Sequence, residues 1–415
     1  SGGTASNYTL TGGTHNFTVN RRAVSVSGTR LYDATTNAVA SDLSTHANLV
    51  GSETLNLSGT GTIASKNVGS NKTVSVGTLA LADGSNGGLA ANYTLSGGTH
   101  QLTVNQRPLN ATLARQYDGT TTAAGSDLSS FDALQGGETL TMTGSGTAAS
   151  ANVANGIAMS SNGTLALADG TGLASNYSLN STVINIAQRV LNSSGSKTYD
   201  ANTDALAGAI TLSNLVSGEA LNHSGTATIG SANAGSYTIT NLSGISIADG
   251  SGGTASNYTL TGGTHNFTIN QRPLAATIAR QYDGTKTAAG SDLSSFDALQ
   301  GGETLTLSGS GTVGDENVAN GQGVTLGSLA LVNGTGLASN YSLNSASLNI
   351  TKRVLNSSGS KTYDANTDAL AGAITLSNLV SGEALNHSGT ATIGSANAGS
   401  YTITNLSGIS IADGS

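Results

Sequence analysis

The chain has 415 residues, no cysteine, a formal net charge of −8 and only 9% charged residues. It therefore carries no disulfide and no thiolate metal site, and 37% hydrophobic content with little charge sets it apart from charge-rich disordered tails. No run approaches the ~18 apolar residues of a membrane span, the first residues do not read as a signal peptide, and no basic patch with aromatic neighbours offers a nucleic-acid surface.

In chain order, residues 1–20 repeat residues 251–270 with one difference, Val19 for Ile269. They are predicted to be terminal strands of a preceding repeat. Four repeats follow at 21–105, 106–187, 188–270 and 271–351, then an incomplete fifth at 352–415. A Tyr-Asp pair marks the phase at Tyr32, Tyr117, Tyr199, Tyr282 and Tyr363, with gaps of 85, 82, 83 and 81 residues. Each repeat opens on a basic junction (Arg21-Arg22, Arg107, Arg189, Arg272, Lys352-Arg353). A glutamate starts its middle (Glu53, Glu138, Glu219, Glu303, Glu383), and an Asn-Tyr pair follows at Tyr93, Tyr177, Tyr258 and Tyr341. A longer period overlies this one. Residues 190–251 and 354–415 are identical, and Gln116–Thr141 recurs at Gln281–Thr306 with Lys286 for Thr121. Two repeat types alternate, which keeps identical neighbours apart.

Within a repeat, Tyr237–Ile239, Ile245–Ile247, Tyr258–Leu260 and Phe267–Ile269 alternate apolar with polar residues, the period of a strand with one buried face. Gly, Asn and Asp clusters separate these runs. The reading is all-β: a tandem array of small Ig-like β-sandwich domains forming an elongated rod. The helical candidate is Ser126–Leu134 with its copy Ser291–Leu299. It supports the alternative of small β-grasp-like domains with one short helix each.

Array proteins act through length and multiplicity rather than one pocket. No catalytic residue and no cofactor is assigned. Twelve of the 15 basic residues fall in two slots, the junction and the position before Tyr-Asp, and are expected to pair locally with the repeat's own acids. His15, His100, His265, His223 and His387 are expected at surface strand positions. Calcium candidates are Asp33, Asp118, Asp200, Asp283 and Asp364 with the mid-repeat glutamate, although their spacing matches neither an EF-hand loop nor a nonapeptide calcium repeat. The other reading of these aspartates is a turn cap. The tyrosines of the Asn-Tyr pairs, with Tyr8, are expected in strand cores. A surface tyrosine platform would instead make each repeat a sugar-binding module.

The succession Arg-Gln-Tyr-Asp-Gly-Thr or Lys-Thr-Tyr-Asp, Gly-Glu-x-Leu, Asn-Val or Asn-Ala-Gly, Asn-Tyr-Thr-Leu and a basic junction resembles the YDG/MBG-type repeats. The resemblance covers the whole chain, with Ala34, Ala201 and Ala365 departing from the glycine of Tyr-Asp-Gly. It implies a stalk or matrix segment of a large bacterial surface protein, a filamentous-haemagglutinin-like exoprotein of two-partner secretion or a biofilm-matrix adhesin. Such a segment lies outside a Gram-negative cell. Its partners would be copies of itself or neighbouring chains, a polysaccharide or a host or cell surface. The chain starts and stops at the same phase, as expected of a window from a longer array. The alternative is a filament subunit in which residues 1–20 of one chain complete the fifth repeat of another by strand donation.

Overall fold

The computed structural model describes residues 2–414. They fall into two compact units, one of residues 2–190, 214–220 and 249–259, the other of residues 191–213, 221–248 and 260–414. Both are all-β, and the helical segments among the described residues are single three-residue 3-10 turns.

In the first unit, the second repeat shows the build in full. Its strands are β1 (Arg107–Gln116), β2 (Thr122–Ala124), β3 (Leu128–Phe131), β4 (Leu140–Thr143), β5 (Ser145–Ala148), β6 (Ala154–Ser161), β7 (Ala166–Asp169) and β8 (Tyr177–Ala187). Leu109, Ala111 and Leu113 are buried on alternate positions of β1, as a two-residue period requires. The sheet order is β2-β5-β6-β8-β1-β3, and β4 pairs separately with β7. The first and last strands are central neighbours and run parallel, with Leu113 opposite Ile184 and Arg115 opposite Ile186. A parallel pair needs a long crossover, and here the rest of the repeat supplies it without a helix. The first repeat pairs Ser25–Leu31 with Gln101–Asn105 in the same sense.

The helical candidate resolves differently. A single turn over Gly125–Asp127 leads into strand β3, and Ala111 pairs with Phe131. That strand satisfies backbone groups along the open edge of β1, which a helix would leave unpaired. The copy in the second unit does the same over Gly290–Asp292 and Leu293–Phe296. Gly144, between β4 and β5, is left-handed at φ 79°, and a Cβ there would sit 2.0 Å from the Thr164 carbonyl oxygen. It bends one continuous run so that β4 pairs with β7 while β5 pairs with β2 and β6.

In the second unit, Asn192–Thr198 lies parallel to His265–Asn270, and Arg272–Gln281 parallel to Tyr341–Thr351. His265–Asn270 fills the heart of its sheet, with Phe267 and Ile269 each 1% exposed. In residues 354–414 the sequence-identical place is an open cleft of about 750 Å³, lined by Gly359, Lys361, Tyr401 and Ile403 among others. Residues 15–20, the near-copy of the filling strand, are exposed and form no strand.

Candidate functional site: the junction between repeats

The recurring landmarks converge at the boundary between one repeat and the next. Strand β1 ends at Gln116, and Tyr117 follows directly, its ring 5% exposed. Its hydroxyl donates to Glu219 Oε1 at 2.6 Å, a residue of the following repeat. The second carboxylate oxygen accepts from Tyr258, also at 2.6 Å. Val216 N in turn donates to the Tyr258 hydroxyl at 3.1 Å. The two rings meet edge to face with centroids 5.4 Å apart and planes at 78°, the geometry that aromatic quadrupoles favour.

The same set recurs twice more. Tyr32 and Tyr177 donate to the two oxygens of Glu138 at 2.6 and 2.9 Å, with rings 5.3 Å apart. Tyr199 and Tyr341 donate to Glu303 at 2.6 and 2.5 Å, with rings 5.2 Å apart. Half of the arrangement appears where Tyr282 meets Glu383 and where Tyr93 meets Glu53. The asparagine before the second tyrosine adds another tie. Asn176, Asn257 and Asn340 are each 1% exposed and accept from Val68 N, Val153 N and Ala234 N of the preceding repeat at 2.8–2.9 Å.

The junction arginines close the set. Arg107, Arg189 and Arg272 donate to the carbonyl oxygens of Tyr32, Tyr117 and Tyr199 at 2.7, 3.4 and 3.1 Å. This corrects the expectation of local ion pairing for that slot: the guanidinium holds the strand end that carries the tyrosine. The other slot does pair locally. Arg30, Arg115, Lys197, Arg280 and Lys361 each bridge the aspartate three residues on.

Burial, and after it the bonded carboxylate, holds the junction tyrosines neutral far into the alkaline range. Tyr177, Tyr199 and Tyr258 are pushed up to about 12. Burial alone would raise the Glu138 carboxyl. The hydrogen bonds from Lys66, Tyr32 and Tyr177 outweigh it and hold that group below its usual range. Lys66 is itself 2.6 Å from Glu138 Oε1. Chemically the junction is a clamp in which buried donors and acceptors are matched, which is what makes a buried polar cluster stabilising.

The predicted calcium residues sit elsewhere. Asp33, Asp118, Asp200, Asp283 and Asp364 each accept the backbone N–H two residues on, at 2.9–3.2 Å, beside their basic partner. Asp364 is held below its usual range first by Lys361. They cap a turn, and the mid-repeat glutamates are bound to tyrosines instead. Among the described residues no three His, Cys, Asp or Glu side chains cluster as metal ligands would. Melting in EDTA is expected to match melting in calcium, and a higher melting temperature with calcium would reinstate the cation site.

The histidine expectation is overturned in four of five places. His100 and His265 are 5% and 6% exposed, with Nε2 2.8 Å from the carbonyl oxygens of Leu95 and Leu260. His223 and His387 are half-buried against two carbonyls each; His15 is exposed. The Gly-Gly-Thr turn before the ring folds a carbonyl onto it, which the alternation pattern does not reveal. Of the Asn-Tyr tyrosines, Tyr93, Tyr177, Tyr258 and Tyr341 are at most 3% exposed, whereas Tyr8 is 79% exposed. The four buried rings present no platform to a sugar.

These features define a tandem-repeat β-protein whose units are joined through their own recurring residues. The YDG domain model matches residues 15–101, 99–184, 187–265, 268–350 and 347–415. The chain belongs to the YDG domain family, as five tandem copies. No curated protein matches it. None of the helices among the described residues is long and apolar enough to cross a membrane.

Proposed function

We propose that this chain is a structural segment of an extracellular bacterial surface or matrix protein, with no enzymatic role. Its task is to hold successive repeats in fixed order and so carry load and present repeated faces to copies of itself, to a polysaccharide or to a cell surface. One observation supports this above the rest: the Tyr–Glu–Tyr clamp recurs three times with hydrogen bonds of 2.5–2.9 Å. A chain that spends its recurring polar and aromatic side chains on joining its own repeats is built for mechanical continuity. Weak contacts on each repeat then add as avidity.

Single-molecule pulling of the chain tests the load-bearing reading. Discrete rupture peaks spaced by about one repeat of released chain are expected. A smooth, low-force extension without peaks would overturn it. Labelling of intact source cells with an antibody to the chain is expected to be positive, and labelling only after permeabilisation would remove the extracellular assignment.

A further inference from the structure

The third residue of the Tyr-Asp motif alternates along the chain: Ala34, Gly119, Ala201, Gly284, Ala365. All five hold a left-handed backbone, with φ of 62°, 78°, 64°, 74° and 59°. The alternation is therefore not explained by backbone conformation, since alanine already occupies this region three times. It follows what faces the residue across the junction. A Cβ on Gly119 would lie 2.9 Å from Val216 Cγ1, and one on Gly284 would lie 2.9 Å from Val380 Cγ1. Valine is stiff about χ1 and gives little. Where the motif carries alanine, the next repeat has glutamine in place of that valine, then glycine. A Cβ on Gly136 would lie 2.8 Å from the Ala34 Cβ, and one on Gly301 would lie 3.7 Å from that of Ala201.

We propose that this position and the residues two and three before the clamp glutamate form a steric code for neighbour choice. A repeat that carries Tyr-Asp-Gly accepts a successor with valine at the facing position. A repeat that carries Tyr-Asp-Ala accepts one with Gln-Gly. The wrong successor of the first kind brings alanine against valine. The wrong successor of the second kind leaves glycine facing glycine, a gap with lost contacts. In an array of near-identical units, like repeats are the commonest wrong partners. A clash against them gives specificity that attraction alone does not. The partner surface so defined is another repeat of the opposite type, in the same chain or in a second copy. The inference rests on the junction geometry and holds whatever surface the array serves.

The test is a double-mutant cycle in the full chain, Gly119→Ala and Val216→Ala, read by amide hydrogen exchange over residues 214–220. Gly119→Ala alone is expected to lower protection there about tenfold, the scale of coupling between touching side chains. Protection over 135–138, at the neighbouring junction, stays unchanged. In the Val216→Ala background the same substitution is expected to change protection by less than about threefold. An equal loss in both backgrounds would show left-handed strain acting alone, and no loss in either would show that the facing valine is indifferent. Either result overturns the code.

Discussion

Replacing Tyr199 with alanine is expected to cost the second unit about 3–5 kcal/mol, the range for deleting a large buried aromatic side chain. Tyr199 is 2% exposed, packs edge to face on Tyr341 and donates to Glu303 at 2.6 Å. Its loss opens a cavity and leaves one oxygen of the half-buried Glu303 carboxylate without its donor. Tyr199→Phe keeps the ring pair and removes only the hydroxyl, so about 1–3 kcal/mol is expected. The chain carries its own control. Tyr363 sits in a stretch identical to the one around Tyr199 but is 64% exposed. Tyr363→Ala is therefore expected to stay within about 0.5 kcal/mol. Urea denaturation with hydrogen exchange over each segment separates the two sites. Equal costs at Tyr199 and Tyr363 would mean that the tyrosine acts within its own repeat, and the clamp would lose its meaning.

Alkali is expected to open the array at its junctions. Tyr177, Tyr199 and Tyr258 are held up to about 12 in the folded chain against an ordinary 10.0. Burial likewise raises Tyr32, Tyr117 and Tyr341. Once the pH exceeds the ordinary value, the unfolded chain releases these protons and the folded chain keeps them. The stabilisation is thus complete below about pH 10 and is lost as the pH rises toward about 12. Glu138 works in the opposite direction: its lowered value gives stability at neutral pH that is lost as the pH falls through that value. Tyrosinate absorbance followed with melting temperature checks the alkaline limb. The clamp tyrosines are expected to ionise only as the melting temperature falls by several degrees. If Tyr177, Tyr199 and Tyr258 ionised near the ordinary 10.0 with no loss of melting temperature, the buried clamp would be refuted.

The amino-acid sequence alone determined the repeat, its phase and the all-β class. Its period-two runs, such as Phe267–Ile269, and its Gly, Asn and Asp punctuation are local signals, and local signals specify strands and turns. Every member of the clamp was visible as a landmark, because tyrosine, glutamate and asparagine recur in fixed phase. Their meeting was not visible. Glu219 meets Tyr117 of the preceding repeat and Tyr258 of its own, and no local pattern encodes a partner about a hundred residues away. The same limit explains the strand at Leu128–Phe131 in place of a helix: the open edge of Arg107–Gln116 decided it.

The parallel pairing of first and last strands also belongs to the tertiary structure, since alternation fixes which face is buried but not which strand lies alongside. The physical reason is plainest in two tyrosines. Tyr199 and Tyr363 have identical sequence for ten residues before and 52 after them, yet one is 2% and the other 64% exposed. Their sequence made both of them candidates for burial. What buries Tyr199 is the strand His265–Asn270 of its own repeat together with Glu303 and Tyr341 of the next one, and such neighbours are properties of the assembled fold.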